Sequence, residues 1–313
     1  MAKCAFLFPG QGAQYIGMGK DLAARYPAAR AVFQEADEVL GFGLSRVIFA
    51  GNKDELRKTE ITQPAVLTTS TAVLAVLQEK GLQPAAAAGL SLGEYSALVC
   101  AGSLKFGDAL HIVRKRARYM QEIVPAGKGG MAAVLGLDAD QVAALCRKSL
   151  PRGHVEPANY NCPGQIVVAG YTEAVTEVCR LAKDSGGRGI MLSVSVPFHC
   201  RLLLPVREKM ALLLKDVIIK KPEISFVANT TAGYLREPAE IKESLLEQSY
   251  SPVLWEDSMR LLLKDGYDFF IEVGPGRVLT GFMRKISPDA RAIHVEDCST
   301  LARMLKFWEE VQA

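Results

Sequence analysis

The sequence predicts an α/β fold, and three observations carry that reading. Strand-like and helical segments alternate along most of the chain. Gly89 and Gly93 flank Ser91 in AAAAGLSLGEYSAL, the punctuation a sharp strand–turn–helix corner needs. Residues 128–196 then carry a strand–helix alternation of their own, set off by glycines on one side and Pro197 on the other.

Taken in order, Cys4 to Phe8 reads as a buried strand ended by the turn residues Pro-Gly-Gln-Gly. Helical patterns follow near 20–39 and 63–80. Ala85 to Ala88 is expected to be the strand that feeds the corner, although four alanines favour helix by propensity. The flanking glycines decide for strand. Helices are expected near 93–101 and 106–123, followed by a flexible break at Gly127, Gly129 and Gly130. MAAVLGL, a helix at 138–149, QIVVAG, a helix at 172–185 and RGIMLSVSV then read as strand, helix, strand, helix, strand. That pattern resembles a small ferredoxin-like insert. The chain returns through a helix (203–217), a strand (224–228), helices at 238–248 and 255–264, a strand (269–273) and a final helix (299–311). A catalytic domain of residues 1–127 and 197–313 is therefore expected, interrupted by a small subdomain at 128–196.

Bulk properties narrow the function classes. A chain of 313 residues with 49% hydrophobic and 23% charged residues can bury an ordinary core. The net charge of +3 is too small to predict nucleic-acid binding. Seven cysteines without a C-x-x-C pair point to reduced thiols rather than a disulfide framework or a metal site. The apolar run Cys4–Phe8 is too short for a signal peptide, and no later run is expected to span a bilayer. A cytoplasmic protein with no membrane partner is expected.

Ser91 is the candidate nucleophile. On such a corner the glycines remove side chains that would clash, and the helix beginning at Leu92 aims its backbone N–H groups at the attacked carbonyl. A serine needs a base, and four histidines exist. His111 sits on a charged helix face, His154 in a loop and His294 near the C-terminus. His199 stands just after a strand and before a helix, where catalytic side chains of α/β folds collect. No Asp or Glu stands out as a third member, so either an unremarkable carboxylate or a backbone carbonyl orients the imidazole. On the helix DALHIVRKRARYMQEIV, a rotation of about 100° per residue puts Arg116 inside the apolar arc, between Ala109 and Ile123. A buried guanidinium needs an anion. Either a core carboxylate or a substrate carboxylate satisfies it. The loop PGQGAQ lacks the Lys-Ser/Thr of a P-loop; a backbone N–H from it could serve as a second oxyanion donor.

Eight segments in order resemble the malonyl-CoA:acyl carrier protein transacylases, relatives of the acyltransferase domains of fatty-acid and polyketide synthases. They are FPGQGAQ (8–14), ITQPAVLTTS (61–70), GLSLGEYSALVCAG (89–102), RARYMQ (116–121), NYNCPGQIVVAG (159–170), VPFHC (196–200), QSYSPVLW (248–255) and VGPGRVLTGF (273–282). The resemblance implies an α/β-hydrolase-like core with a parallel sheet, Ser91 as nucleophile and His199 as its base. It further implies oxyanion donors at the backbone N–H groups of Gln11 and Leu92, and Arg116 as grip for the malonyl carboxylate. The carbonyl of Gln248 would orient the histidine, and Asn159, Phe198, Leu90 and Met120 are the expected pocket residues. Leu90 departs from the family, which usually has His before the serine. The implied partners are malonyl-CoA, CoA and an acyl carrier protein whose phosphopantetheine is the acceptor. No cofactor is implied, and a monomer is expected. A trans-acting polyketide acyltransferase, a thioesterase on the same corner and a non-catalytic docking subunit stay open as alternatives.

Overall fold

In the computed structural model of the chain, the described residues are 3–125, 127–194 and 196–312. Their strands are, in chain order, β1 (Cys4–Phe8), β2 (Ala86–Gly89), β3 (Gly129–Leu135), β4 (Val155–Cys162), β5 (Gln165–Tyr171), β6 (Arg188–Met191), β7 (Ser225–Val227), β8 (Phe269–Val273) and β9 (Arg291–Val295). One sheet has the order β7-β2-β1-β8-β9, and every pairing in it is parallel. The second has the order β4-β5-β3-β6 and is antiparallel. All four of its strands fall between β2 and β7, so this small layer interrupts the larger one.

The alanine strand shows tertiary context overriding propensity. In β2, Ala87 pairs with Phe6 of β1 and with Phe226 of β7. It belongs to the core on one face, with Phe6, Phe8 and Leu98. Ala86 and Ala88 face the other core, with Trp255 and Phe270. A strand buried on both faces between bulky neighbours has room for methyl groups only.

The corner after β2 depends on close approach rather than on unusual dihedrals of its glycines. A Cβ on Gly89 would lie 1.9 Å from the carbonyl oxygen of Gly93, and one on Gly93 would lie 2.1 Å from that of Phe8. Both obstacles are backbone. Gly93→Ala is therefore expected to destabilise the fold by at least ~1–3 kcal/mol, the usual cost of overpacking. A denaturant midpoint equal to that of the parent would refute this.

Several elements differ from expectation, each for a local reason. The helix expected at 20–39 is two, Lys20–Arg25 and Pro27–Leu40, because Tyr26 before the proline is extended. The helix expected at 63–80 starts at Thr59 and carries Pro64 inside it. By length and apolarity Thr59–Glu79 could cross a membrane, contrary to expectation, but 83% of its most apolar window is buried in the protein. It is a core helix. The glycine break is the start of β3, where Gly129 pairs with Tyr171. β4 was not expected. Pro157 and the amide side chains hide its alternation, and it carries irregularities at Pro157/Asn159 and Tyr160/Cys162. With it the inserted layer reads β3-helix-β4-β5-helix-β6, the ferredoxin-like order. RGIMLSVSV is strand only to Met191, and Ser195 lies outside the described residues. The helix expected at 203–217 is a 3-10 turn, Arg201–Leu203, then Val206–Leu214. Helices Leu44–Ala50, Lys53–Leu56 and Val278–Ile286, and strand β9, were not anticipated.

Candidate active site

The corner places Ser91 at the end of β2 with φ +54°, a left-handed conformation that costs a non-glycine residue energy and collects at functional sites. Its N–H donates to Asn229 Oδ1 at 2.6 Å. Asn229 follows β7 and donates its Nδ2 to the Gly89 carbonyl at 2.6 Å, so one amide straddles the corner.

His199 also has a left-handed backbone, φ +61°, and its N–H donates to the Ser249 carbonyl at 3.1 Å. Its Nε2 lies 2.6 Å from Ser91 Oγ, and its Nδ1 lies 2.8 Å from the Gln248 carbonyl oxygen. A carbonyl only accepts, so Nδ1 carries the proton and Nε2 is left to receive that of Ser91. The orienting group is thus a backbone carbonyl, not a carboxylate. Burial, together with the Arg116 charge, pushes the His199 pKa down to about 3, against the raising effect of the carbonyls of Gln248 and Ser251. The imidazole is neutral at physiological pH.

Ser91 and His199 open into a cleft of about 260 Å³ between the two layers. Of the expected pocket residues, Leu90, Asn159 and Phe198 line it, and Gln11 lies on its wall as well. Leu90 lies against Gly10, where an added Cβ would sit 3.2 Å from Leu90 Cδ2. Leu92 is buried at the start of the helix Gly93–Cys100. Among the described residues neither the Gln11 nor the Leu92 N–H has a protein acceptor, so both are open donors beside the nucleophile. Met120 is a correction: it lies fully buried in the main hydrophobic core and not on the cleft wall.

Arg116 is 1% exposed, and the cleft wall does not include it. Among the described residues no carboxylate pairs with it directly. Its Nη1 donates to Gln63 Oε1 at 3.0 Å and its Nη2 to Gln248 Oε1 at 2.8 Å, over the ring of Tyr95. Its Nε has no partner among the described residues. A buried guanidinium held by neutral amides keeps donors for an anion, while the Glu94 charge acts on it from across the Gln248 amide.

Sequence reasoning missed Asn229, Gln63, Glu94 and Asn161. Glu94 was legible as the one charge in an apolar helix, and Asn229 as an amide at a strand end. Asn161 lines the cleft with its buried Oδ1 unpartnered among the described residues. Glu272 on β8 shapes the opposite wall. Its carboxylate accepts the N–H groups of Leu279 and Thr280 at 3.0 and 2.7 Å, fixing the start of the helix Val278–Ile286.

Known proteins match the chain over nearly its whole length. The acyl transferase domain family matches residues 5–306. The malonyl CoA-acyl carrier protein transacylase of Bacillus subtilis is 47% identical over 312 residues, covering 99% of this chain and 98% of the relative. That of Escherichia coli K12 is 42% identical, covering 98% and 100%. Among solved structures, the corresponding transacylase of Clostridium perfringens superposes with a TM-score of 0.96 at 41% identity, covering 99% and 98%. A malonyl-transacylase in complex with its type II polyketide-synthase acyl-carrier protein superposes with a TM-score of 0.95 at 40% identity, covering 97% and 99%. The chain belongs to the acyl transferase domain family, in the branch of the malonyl-CoA:acyl carrier protein transacylases.

Proposed function

We propose that this acyltransferase moves a malonyl group from malonyl-CoA to the pantetheine thiol of an acyl carrier protein, supplying fatty-acid synthesis. The observation that carries the reading is the relay Ser91–His199–Gln248 carbonyl at the foot of the cleft. His199 Nε2 takes the Oγ proton as Oγ bonds to the thioester carbon. The resulting oxyanion is received by the N–H groups of Gln11 and Leu92. As the C–S bond breaks, the CoA sulfur takes the proton from Nε2, leaving malonyl-Ser91. In the second half the carrier thiol gives its proton to His199 and attacks the ester carbon. The C–Oγ bond breaks, and Oγ recovers the proton.

Arg116 is the group that selects a dicarboxylic acyl unit, with Gln63 and Gln248 holding it in place. The acyl group changes carriers without changing oxidation state, so the proposed reaction calls for no redox cofactor. The nucleophile, base, orienting carbonyl and arginine all come from one chain, which supports action as a monomer. The cytoplasm is the proposed compartment, supported by seven free cysteines.

Incubation with malonyl-CoA should give a protein heavier by one malonyl group on Ser91, and addition of the phosphopantetheine-bearing carrier should discharge it. A mass unchanged by malonyl-CoA would falsify this function. An adduct released only to water would make the protein a hydrolase.

A further inference from the structure

Glu94 is fully buried in the first turn of the helix Gly93–Cys100, three residues beyond Ser91. Its Oε1 accepts the main-chain N–H of Asn229 at 3.2 Å, and its Oε2 accepts from Gln248 Nε2. Each partner holds one half of the dyad. Asn229 takes the Ser91 N–H. Gln248 gives its main-chain carbonyl to His199 and its Nε2 to the Ser91 carbonyl at 2.8 Å. The other end of the same Gln248 amide, Oε1, accepts from Arg116 Nη2.

No group in this network can be turned round. The Nε2 end of Gln248 faces two acceptors, and its oxygen faces a guanidinium that only donates. Both oxygens of Glu94 face N–H donors, so the ionised carboxylate, which accepts at both and has no proton to place, suits the site best.

We propose that the Glu94 carboxylate is a positioning residue that keeps Ser91 and His199 aligned while Arg116 exchanges a protein partner for the substrate carboxylate. The proposal rests on the malonyl-serine reading and extends it. A carboxylate arriving at Arg116 takes up the unpartnered Nε–H and the N–H donors left over from Gln63 and Gln248, and its charge draws the guanidinium away from the neutral Gln248 Oε1. The Gln248 side chain is then held by Glu94 and the Ser91 carbonyl, and its main chain, whose N–H donates to the Ser244 carbonyl at 2.9 Å, continues to orient His199. An acetyl group leaves the Arg116–Gln248 bond intact and makes no such demand. Dependence on Glu94 is therefore greater for malonyl than for acetyl.

The network also has a pH response. Burial raises the Glu94 carboxyl to about 7, although Gln248, Asn229 and Arg116 act to lower it. Falling pH protonates one oxygen and sets an O–H against an N–H. The titratable groups around it are silent in this range. His199 is pushed down to about 3 and Tyr95 up to about 12, and Arg116 stays charged although burial lowers its pKa. From the helix Thr59–Glu79, Gln63 is the polar group that faces Arg116.

The test is Glu94→Gln in the full chain, an isostere of the protonated acid. Acyl-enzyme formation is followed by intact mass on quenched samples, with malonyl-CoA and acetyl-CoA in parallel, across about pH 5.5–8.5. Malonyl loading should fall about 10–10²-fold, the scale of a slightly misplaced catalytic group, while acetyl loading changes much less. The acidic limb of the parent near pH 7 should flatten. Equal losses for the two acyl groups, an acidic limb that persists, or malonyl loading at the parent rate would each overturn the proposal. Should Glu94→Gln lack a cooperative melt, Glu94→Asp decides. It keeps the charge and the Arg116–Gln248 bond but draws the carboxylate back by one methylene, so the same malonyl-selective loss is expected, and an equal or absent loss overturns the idea. A parent protein that never acquires malonyl is a separate result, and it sinks the transacylase reading itself.

Discussion

Replacing His199 by alanine is expected to slow malonyl transfer by ~10²–10⁴-fold, the usual contribution of a positioned general base. The expectation follows from the tautomer. With Nδ1–H committed to the Gln248 carbonyl at 2.8 Å, Nε2 is the acceptor 2.6 Å from Ser91 Oγ. Removal of the ring leaves a neutral hydroxyl with no group to take its proton. Intact-mass rates of malonyl-enzyme formation measure the effect, and a rate within a few-fold of the parent would take His199 out of the mechanism.

The same residue makes a pH prediction with a definite sign. Burial and Arg116 lower its pKa to about 3, so the neutral, reactive form persists as pH falls through the ordinary histidine range. The free enzyme should then show no acidic limb belonging to its base, and whatever limb appears near pH 7 belongs to another group. Glu94, raised to about 7, is the group in place to cause it.

Much of this site was readable because its chemistry coincides with local punctuation. Gly89 and Gly93 announce the Ser91 corner since only glycine survives two backbone contacts near 2 Å. His199 stood out by the strand expected to run up to Pro197, although that strand stops at Met191 and the histidine sits on an irregular segment with a left-handed backbone. Arg116 stood out because a charge in an apolar arc needs an explanation. Met120, expected in the pocket from the resemblance, lies in the core, and its place on the helix of Arg116 does not by itself distinguish core from cleft. The orienting group was invisible as a residue type, because every residue has a carbonyl and only the fold brings that of Gln248 to His199. Glu94 was in plain view within the motif, yet a lone glutamate on a helix ordinarily reads as solvated. Its burial is decided by Asn229 and Gln248, 135 and 154 residues away along the chain. β4 was lost for a different reason: a proline and three amide or phenol side chains in VEPANYNC break the alternation by which strands are recognised.

Arg116→Ala should lose malonyl transfer by about 10²–10⁴-fold, corresponding to the ~3–5 kcal/mol attached to one partner of a buried charge pair. Acetyl transfer should be kept or gained, because the methyl group has no use for a guanidinium and the emptied volume is no longer cationic. Two electrostatic consequences accompany the substitution. The Arg116 charge is one of the causes that depress His199, so its removal raises the base toward its ordinary value and makes it a better proton acceptor. It is also one of the causes that lower Glu94, so that carboxyl rises above about 7. The acetyl rate is therefore best read at alkaline pH, where Glu94 is again ionised and still holds Gln248. Competing loading of malonyl-CoA and acetyl-CoA, resolved by intact mass, checks the selectivity in one vessel. Equal loss of both acyl groups would make Arg116 a structural cation for Gln63 and Gln248, and the selectivity for dicarboxylic units would have to come from the cleft wall instead.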